Sequence, residues 1–414
     1  MRYLSLIILL FWQTAFASAD YCDGDWGFFG HRRINRLAVF TLPQEMIPFF
    51  KKHIDYITDH SVDPDKRRYA TRHEAVRHYI DLDIWGEAPY DNLPRDWTGV
   101  LACYSSIYAV TRGGDSIRIY KAGDFTEHAQ EISMSYKRSA FDLDYSKYKA
   151  FFKEHIQPQY YEDDWTLDPQ IFCDAFPYAN ICRSLESIVW VDEFSEHGIL
   201  PYHLEWMQYR LTEAFRDKDE MRILRFATEI GHYIGDAHVP LHTTENYNGQ
   251  LTNQDGIHAF WESRIPELFA DDTYDFFVGP AEYVDDTRKY YWDAVLKSHS
   301  YVDTVLTIER KLRETFPVDL QFCYDERLGR VVRTQCREFA AAYSDALKGQ
   351  VEERFRASIH ALGSIWYTAW IDAGQPELMK AVEDVPVEMR DEERRKMLEA
   401  MYQRGEAKGR GHEN

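Results

Sequence analysis

The chain has 414 residues, a length that fits either two average domains or one large domain. Apolar residues make up 45% of it and aromatic residues 15%, which is enough for a sizeable core. The formal net charge of -21 argues against a protein that coats nucleic acids, because a polyanion would meet net repulsion. A cleft made locally positive by bound cations stays compatible with that charge.

The first nineteen residues have the features of a secretory signal peptide. A positive start at Arg2 precedes an apolar run, Leu4–Trp12, and the small residues at 17–19 form an Ala-Ser-Ala cleavage pattern. The run is too short to span a membrane, and no later segment has some eighteen uninterrupted apolar residues. We therefore expect the signal peptide 1–19 to be removed and the protein to be secreted or periplasmic, with no transmembrane segment.

The six cysteines all follow the predicted cleavage site. No C-x-x-C motif occurs, so in an oxidising compartment they are better explained as disulfides than as metal ligands. Cys173–Cys182 and Cys323–Cys336 are the plausible local pairs, although the sequence leaves the connectivity open.

Apolar residues at spacings of three and four predict helices over most of the chain, and hence an all-α or mainly α fold. Residues 85–200 are less informative. They contain one β-like run, Ser116–Tyr120, and we expect an insertion or lid at about 99–200 within one large helical domain, 20–384. The charged segment 385–414 is expected to be a solvated helix that frays. The predicted helices are one that follows Trp26, then 44–60, 205–215, 220–231, 286–314 and 337–373.

Two histidine–carboxylate pairs at helical spacing lie in the segment 225–264. His232 and Asp236 are four residues apart, and so are His258 and Glu262. On a helix this spacing puts two side chains on one face, within reach of a common ion. Imidazole together with carboxylate is a zinc-type ligand set, so these pairs predict a metal site.

A single pair of this kind is more often a surface hydrogen bond or a histidine satisfied within the core. Two pairs so close together, with His242 just after a Val-Pro-Leu break, favour the metal site. His238 lies six residues after His232, off the face that His232 shares with Asp236. We expect His238 to be structural or to support the ligands.

Two earlier segments carry further candidate ligands. His31 lies in the first turn of the helix that follows Trp26, and an Asp-Pro-Asp turn at 63–65 places Asp65 thirteen residues before His78. Each segment alone is also explained by a helix cap or a charged, solvent-facing turn.

Taken together, these motifs resemble the trinuclear-zinc superfamily that contains bacterial zinc-dependent phospholipase C and the secreted single-strand-specific nucleases. The pattern of that family is W-x4-H, an Asp some thirteen to fifteen residues before H-[FY]-x-D, then H-x3-D-x5-H and H-x3-[DE]. The order and the ligand types are the same here. The corresponding residues are Trp26 and His31, Asp65 and His78, His232, Asp236 and His242, and His258 and Glu262.

The resemblance implies a large phospholipase C/nuclease-type helical domain that binds three zinc ions. The implied ligands are Asp65, His78, His232 and Asp236 for the first ion; His242, His258 and Glu262 for the second; and His31, the shared Asp236 and the backbone amine and carbonyl of Trp26 for the third.

Two of these assignments have alternatives. In the family the tryptophan is the mature N-terminus, whereas cleavage after Ala19 leaves six residues before Trp26. Either a second cleavage exposes Trp26, or the third ion is held more weakly. Asp63 is a second candidate for the role of Asp65, which we favour because an arginine pair follows it closely, as in the nucleases.

The chemistry implied by the resemblance is hydrolysis of a phosphodiester. Two zinc ions bridged by one carboxylate lower the pKa of a shared water, and the resulting hydroxide attacks phosphorus. Asp65 and Asp236 are the catalytic candidates. Tyr79 and Asp81 follow a ligand histidine, and in the nucleases an aromatic ring and a carboxylate at these positions hold a base, so both are candidates for substrate binding.

The acidic charge favours a small or zwitterionic phospholipid headgroup over a long polyanion, and Glu262 in place of Asp favours the phospholipase C branch. We therefore expect a secreted, zinc-dependent, phospholipase C-like phosphodiesterase. One alternative is a single-strand-specific nuclease, for which nucleic acid is a substrate and not a stable partner. The other is a non-catalytic exported helical protein that binds zinc structurally; the open coordination positions of the implied sites argue against it.

Overall fold

The computed structural model describes residues 28–68, 71–124, 130–179, 181–327 and 330–378. The chain is mainly helical, as predicted, but it is not all-α, because antiparallel sheets occur as well. The helices are α1 Phe28–Ala38, α2 Ile47–Lys52, α3 Ile54–Asp59, α4 Asp63–Arg67, α5 Arg72–Ala75, α6 Trp97–Cys103, α7 Tyr145–His155, α8 Pro169–Ala175, α9 Leu200–Asp217, α10 Glu220–Ala237, α11 Ile257–Ala259, α12 Ile265–Thr273, α13 Thr287–His299, α14 Val302–Thr315, α15 Arg337–Ala346 and α16 Gln350–Asp372.

Most of the β structure lies in the segment that was expected to be an insertion or lid. The strands are β1 Ser105–Thr111, β2 Ser116–Tyr120, β3 Glu131–Tyr136, β4 Ser139–Asp144, β5 Trp165–Leu167, β6 Leu185–Asp192, β7 Phe322–Arg327 and β8 Arg330–Gln335. A four-stranded antiparallel sheet has the order β2-β1-β6-β5, and β3 pairs with β4, and β7 with β8, as two-stranded sheets. The β-like run predicted at Ser116–Tyr120 is β2.

Four helices, α1, α9, α10 and α16, pack on one another at the centre of the fold. The segment around β1–β6 shares their apolar core, since Trp190 of β6 and Trp366 of α16 belong to one cluster of buried side chains. The indole of Trp190 donates to the hydroxyl of Tyr148 on α7 at 3.0 Å. A smaller second cluster joins α12, α14 and α15 around Phe260 and Tyr343. The insertion therefore does not have a core of its own.

Both predicted disulfides are confirmed, Cys173–Cys182 and Cys323–Cys336. Within the described ranges, no helix combines the length and apolarity needed to cross a bilayer. The predicted signal peptide, Trp26 and the charged tail at 385–414 lie outside the described residues.

Candidate metal centre

Helix α10 contributes two of the predicted ligands from a single face. Asp219 caps its N-terminus by accepting from the backbone N–H of Arg222 at 3.1 Å. His232 and Asp236 follow one turn apart, both buried, with His232 Nε2 at 3.5 Å from Asp236 Oδ2. The i, i+4 spacing seen in the sequence therefore brings both side chains to one point in the interior.

Helix α1 lies against α10 closely enough to bring His31 to the same point. A Cβ at Gly235 would lie 2.9 Å from His31 Nδ1, so only glycine leaves room for this imidazole. The rings of His31 and His232 are stacked with centroids 3.8 Å apart. Asn35 donates to the carbonyl of His31 at 3.0 Å one turn further along α1.

Asp65 and His78 come from the short helices that follow α3. The Asp-Pro-Asp sequence expected to be a turn begins helix α4, and His78 ends a 3-10 turn after α5. His78 Nδ1 lies 3.0 Å from Asp236 Oδ2 and 3.7 Å from Asp65 Oδ1. Asp65, rather than Asp63, lies with His31 and His232, whereas the carboxylate of Asp63 bonds His60 Nδ1 at 2.7 Å.

The remaining candidate ligands form a second group beyond α10. Glu262 Oε2 lies 2.7 Å from His258 Nε2 and 3.4 Å from His242 Nε2. His258 and Glu262 were expected to face a common ion from an α-helix. They do lie together, but Phe260–Arg264 forms a π-helical turn instead of an α-helical one. Such turns are frequent at functional sites.

Asp236 connects the groups. Its Oδ2 faces His78 and His232, while its Oδ1 lies 3.5 Å from His31 Nε2 and 3.9 Å from His242 Nε2. Within the part of the chain that the structure describes, four overlapping groups of possible ligand atoms result, and within each group all the atoms lie within 4.8 Å of one another. The groups are His31, Asp65 and His232; His78, His232 and Asp236; His242, His258 and Glu262; and His31, Asp236 and Glu262.

Backbone carbonyls orient two of the imidazoles. His232 donates from Nδ1 to the carbonyl of Ser61 at 2.9 Å, and His242 donates from Nδ1 to the carbonyl of His78 at 2.6 Å. Each bond fixes the tautomer with an Nε2 lone pair directed at the carboxylates, as metal-binding histidines require.

The electrostatics of the buried site suit cations. Burial, together with repulsion from His232, lowers the pKa of His31 to about 3, which keeps this imidazole neutral and able to bind a metal. Burial raises the pKa of Asp236 well above its usual range, and repulsion from Asp65 and Glu262 acts in the same direction. Carboxylates crowded in this way are relieved by divalent cations, so the residues present fit the metal ions that their chemistry implies.

Glu262 behaves differently from Asp236. Burial alone would raise its pKa, but the neighbouring imidazoles of His242 and His258, 3.4 and 2.7 Å from its Oε2, lower that pKa well below its usual range. Its carboxylate is therefore ionised and can act as a ligand at neutral pH.

The structure does not bring the two candidate substrate-binding residues to an open surface. Tyr79 is buried and donates its hydroxyl to the carbonyl of Glu196 at 3.0 Å. Asp81 is fully buried, and its backbone N–H donates to the carbonyl of His197 at 2.8 Å. Their role in binding a base stays a prediction that would require the 196–197 segment to move.

His238 belongs to none of the four groups. It is buried and donates from Nδ1 to the carbonyl of Ile234 at 2.7 Å, one turn back along α10. This position agrees with the structural role suggested by its spacing from His232.

Sequence reasoning missed Asp83, which holds the segment between His242 and His258. Its carboxylate accepts from the hydroxyl of Thr244 at 2.7 Å and from the backbone N–H of Glu245 at 3.0 Å. Asp83 belongs to the same H-Y-I-D-L-D run as His78, so the signal was present, but nothing in the sequence distinguished its role from that of Asp81.

Comparison with known protein families and with curated proteins gives no match for this chain. Its function is therefore inferred from the site itself.

Proposed function

We propose that the protein is a zinc-dependent phosphodiesterase of the trinuclear-zinc phospholipase C/nuclease superfamily, with phospholipase C-like activity. The observation that supports this most strongly is the position of Asp236. One buried carboxylate faces separate imidazoles with each of its two oxygens, which is the arrangement that lets a single side chain bridge two ions.

The proposed ligand sets are those that the resemblance implies, and the described members of each set belong to the four groups. Asp65, His78, His232 and Asp236 would hold one ion, and His242, His258 and Glu262 a second. His31 and Asp236 would hold a third ion together with Trp26. The structure adds one possibility, since Glu262 Oε1 lies 3.7 Å from His31 Nε2 and could also reach that third ion.

Zinc, when bound, supplies the Lewis acidity that lowers the pKa of a water molecule and offsets the charge that builds on a phosphoryl group. The side chains of the protein would hold the ions and fix their positions. The neutral imidazoles offer lone pairs, the carboxylates of Asp65 and Asp236 supply negative charge, and Arg68 Nη1 fixes Asp65 Oδ1 at 3.2 Å. The phospholipase branch is favoured over the nuclease branch because Tyr79, the candidate ring for base stacking, is buried.

The reaction is tested with the metal-replete protein on phosphatidylcholine, single-stranded DNA and bis-p-nitrophenyl phosphate. We expect hydrolysis of phosphatidylcholine and of the small diester, and loss of both in His232→Ala. Hydrolysis of DNA but not of lipid would move the protein to the nuclease branch. Bound zinc without turnover of any substrate would leave only a structural role for the metal.

We also propose that the protein is exported. The two disulfides support this proposal, because such bonds persist in oxidising compartments. Fractionation of the producing cells is expected to place the protein outside the cytoplasm, with residues 1–19 absent from the mature N-terminus. Recovery of the full-length chain in the cytoplasm would contradict the proposal.

A further inference from the structure

A buried carboxylate, Glu74, lies directly behind the ligand His78. Glu74 belongs to α5, whose N-terminus is capped by Thr71, and only 2% of its surface is exposed. An ionised side chain at this depth is costly unless it is paired, so its position calls for a physical reason.

His78 is oriented with one nitrogen toward the metal centre and the other toward Glu74. Its Nδ1 faces Asp236 and His232, each at 3.0 Å. Its Nε2 is buried, has no hydrogen-bond partner and lies 4.0 Å from Glu74 Oε1. A shift of about 1 Å would turn this contact into a hydrogen bond.

The carboxylate of Glu74 is held from the sides that His78 does not occupy. Arg77 Nη1 donates to Oε2 at 2.7 Å, Arg67 Nη2 donates to Oε1 at 3.4 Å, and the hydroxyl of Tyr233 donates to Oε1 as well. Burial would lower the pKa of Arg67, but the charges of Glu229 and Glu74 outweigh burial and raise that pKa well above its usual range. Glu74 therefore lies in a fixed position with its charge balanced.

We propose that Glu74 is a positioning residue of the metal centre, which accepts the Nε2–H of His78 and so keeps Nδ1 as the lone pair offered to the ion. A carboxylate in this position fixes the tautomer and the ring orientation and makes the imidazole a stronger ligand. The inference rests on the proposed metal site, but it does not depend on which phosphodiester is hydrolysed, or on whether any is.

Glu229 provides a matched control. It is also a buried glutamate paired with Arg67, at 2.8 Å, and it lies on α10 three residues before His232. Arg225 binds it from the other side at 3.1 Å. Glu229→Gln and Glu74→Gln each remove a negative charge that is paired with Arg67, but only Glu74→Gln removes a charge that lies next to His78.

The test is a zinc titration of the purified protein against a chromophoric chelator, with zinc per chain counted by elemental analysis. We expect Glu74→Gln to weaken binding of one ion by about 10- to 100-fold, and Glu229→Gln to change no zinc affinity by more than about 3-fold. If Glu74→Gln fails to fold, Glu74→Asp, which keeps the charge but withdraws it from His78, is compared with Glu229→Asp on the same scale.

Equal zinc affinities in the two glutamine variants, or in the two aspartate variants, would overturn the proposal. So would a wild-type protein that binds no zinc. The protein could also bind zinc in a way that depends on Glu74 and yet cleave no phosphodiester. That result would support the positioning role and refute the proposed phosphodiesterase activity, so the two failures are distinguishable.

Discussion

His242 and the segment of His78 are joined by two hydrogen bonds. The imidazole of His242 donates from Nδ1 to the carbonyl of His78 at 2.6 Å, and the N–H of Ile80 donates back to the carbonyl of His242 at 2.9 Å. These two bonds connect a candidate ligand of the group around Asp65 with a candidate ligand of the group around Glu262. Each histidine segment is thus hydrogen-bonded to the other, and these bonds help to set the spacing of the two groups.

Replacement of Asp236 by asparagine tests whether this carboxylate is shared. The amide keeps the shape but offers one acceptor oxygen instead of two, so the ions on both sides lose a ligand or gain an N–H that faces them. We expect zinc per chain, measured by elemental analysis, to fall by at least one. Activity on bis-p-nitrophenyl phosphate should fall by about 100-fold or more.

Asp63→Asn is the control for that experiment. Asp63 lies two residues before Asp65 but is bound to His60, and we expect this variant to keep its zinc and its activity. A full zinc complement in Asp236→Asn would show that the carboxylate does not bridge. Loss of zinc in Asp63→Asn would instead move the ligand role from Asp65 to Asp63.

The sequence predicted the helices better than their breaks. The helix expected at 44–60 is divided at His53, the one at 286–314 at Ser300 and Tyr301, and the one at 337–373 at the turn that ends with Gly349. Apolar residues continue at helical spacing through all three breaks, so periodicity could not locate them. Only Gly349, which has a φ of +78°, carried a local signal.

Side chains at fixed spacing were predictable, whereas contacts made by the backbone were not. The i, i+4 pair His232 and Asp236 meets as expected because α10 is a regular helix. The partner of His232 Nδ1 is the carbonyl of Ser61, which any residue at that position could provide. Of the strands within 99–200, only β2 was predicted. Burial does not alternate along β1, so this strand lacked the usual signal, whereas burial does alternate in β3 and in the middle of β4, which were missed all the same.

Gly235→Ala is expected to push α1 away from α10. The new Cβ would lie 2.9 Å from His31 Nδ1, closer than real side chains approach, so His31 must move. We expect a loss of about 1–3 kcal/mol in unfolding free energy by urea titration, with zinc reduced by one ion per chain. Gly30→Ala on α1 is the control, since its Cβ would make ordinary contact with Phe355 at 3.5 Å. If both variants unfold alike, the close approach of the helices does not position His31.

Asp83→Asn is expected to loosen the segment between the candidate ligands His242 and His258. The asparagine keeps one acceptor but loses the charge that holds the hydroxyl of Thr244 and the N–H of Glu245. Weakening these bonds by about 1–2 kcal/mol should accelerate hydrogen exchange of the amides after Thr244 by roughly 5- to 30-fold. Asp91→Asn serves as the comparison, because Asp91 is an exposed carboxylate in a turn that follows Asp83 in the chain. Equal hydrogen-exchange rates in the two variants would show that contacts other than those of Asp83 hold this segment in place.

His238 is expected to make the metal-free protein less stable in acid. Burial, reinforced by the charge of Arg354, lowers the pKa of His238 to about 4, against 6.5 in the unfolded chain. Between these pH values the unfolded chain binds a proton that the folded protein does not. The contribution of His238 to the free energy of unfolding is therefore complete above pH 6.5 and is lost as the pH falls toward 4. The loss attributable to His238 is about 3 kcal/mol in total, at no more than about 1.4 kcal/mol per pH unit.

Urea unfolding of the wild type and of His238→Asn in EDTA tests this expectation. The unfolding free energies of the two proteins should run parallel from pH 7 to 8.5, and that of the variant should decline less steeply below pH 6.5. Curves that remain parallel down to pH 4.5 would mean that His238 titrates alike in both states, so its burial would not determine its charge.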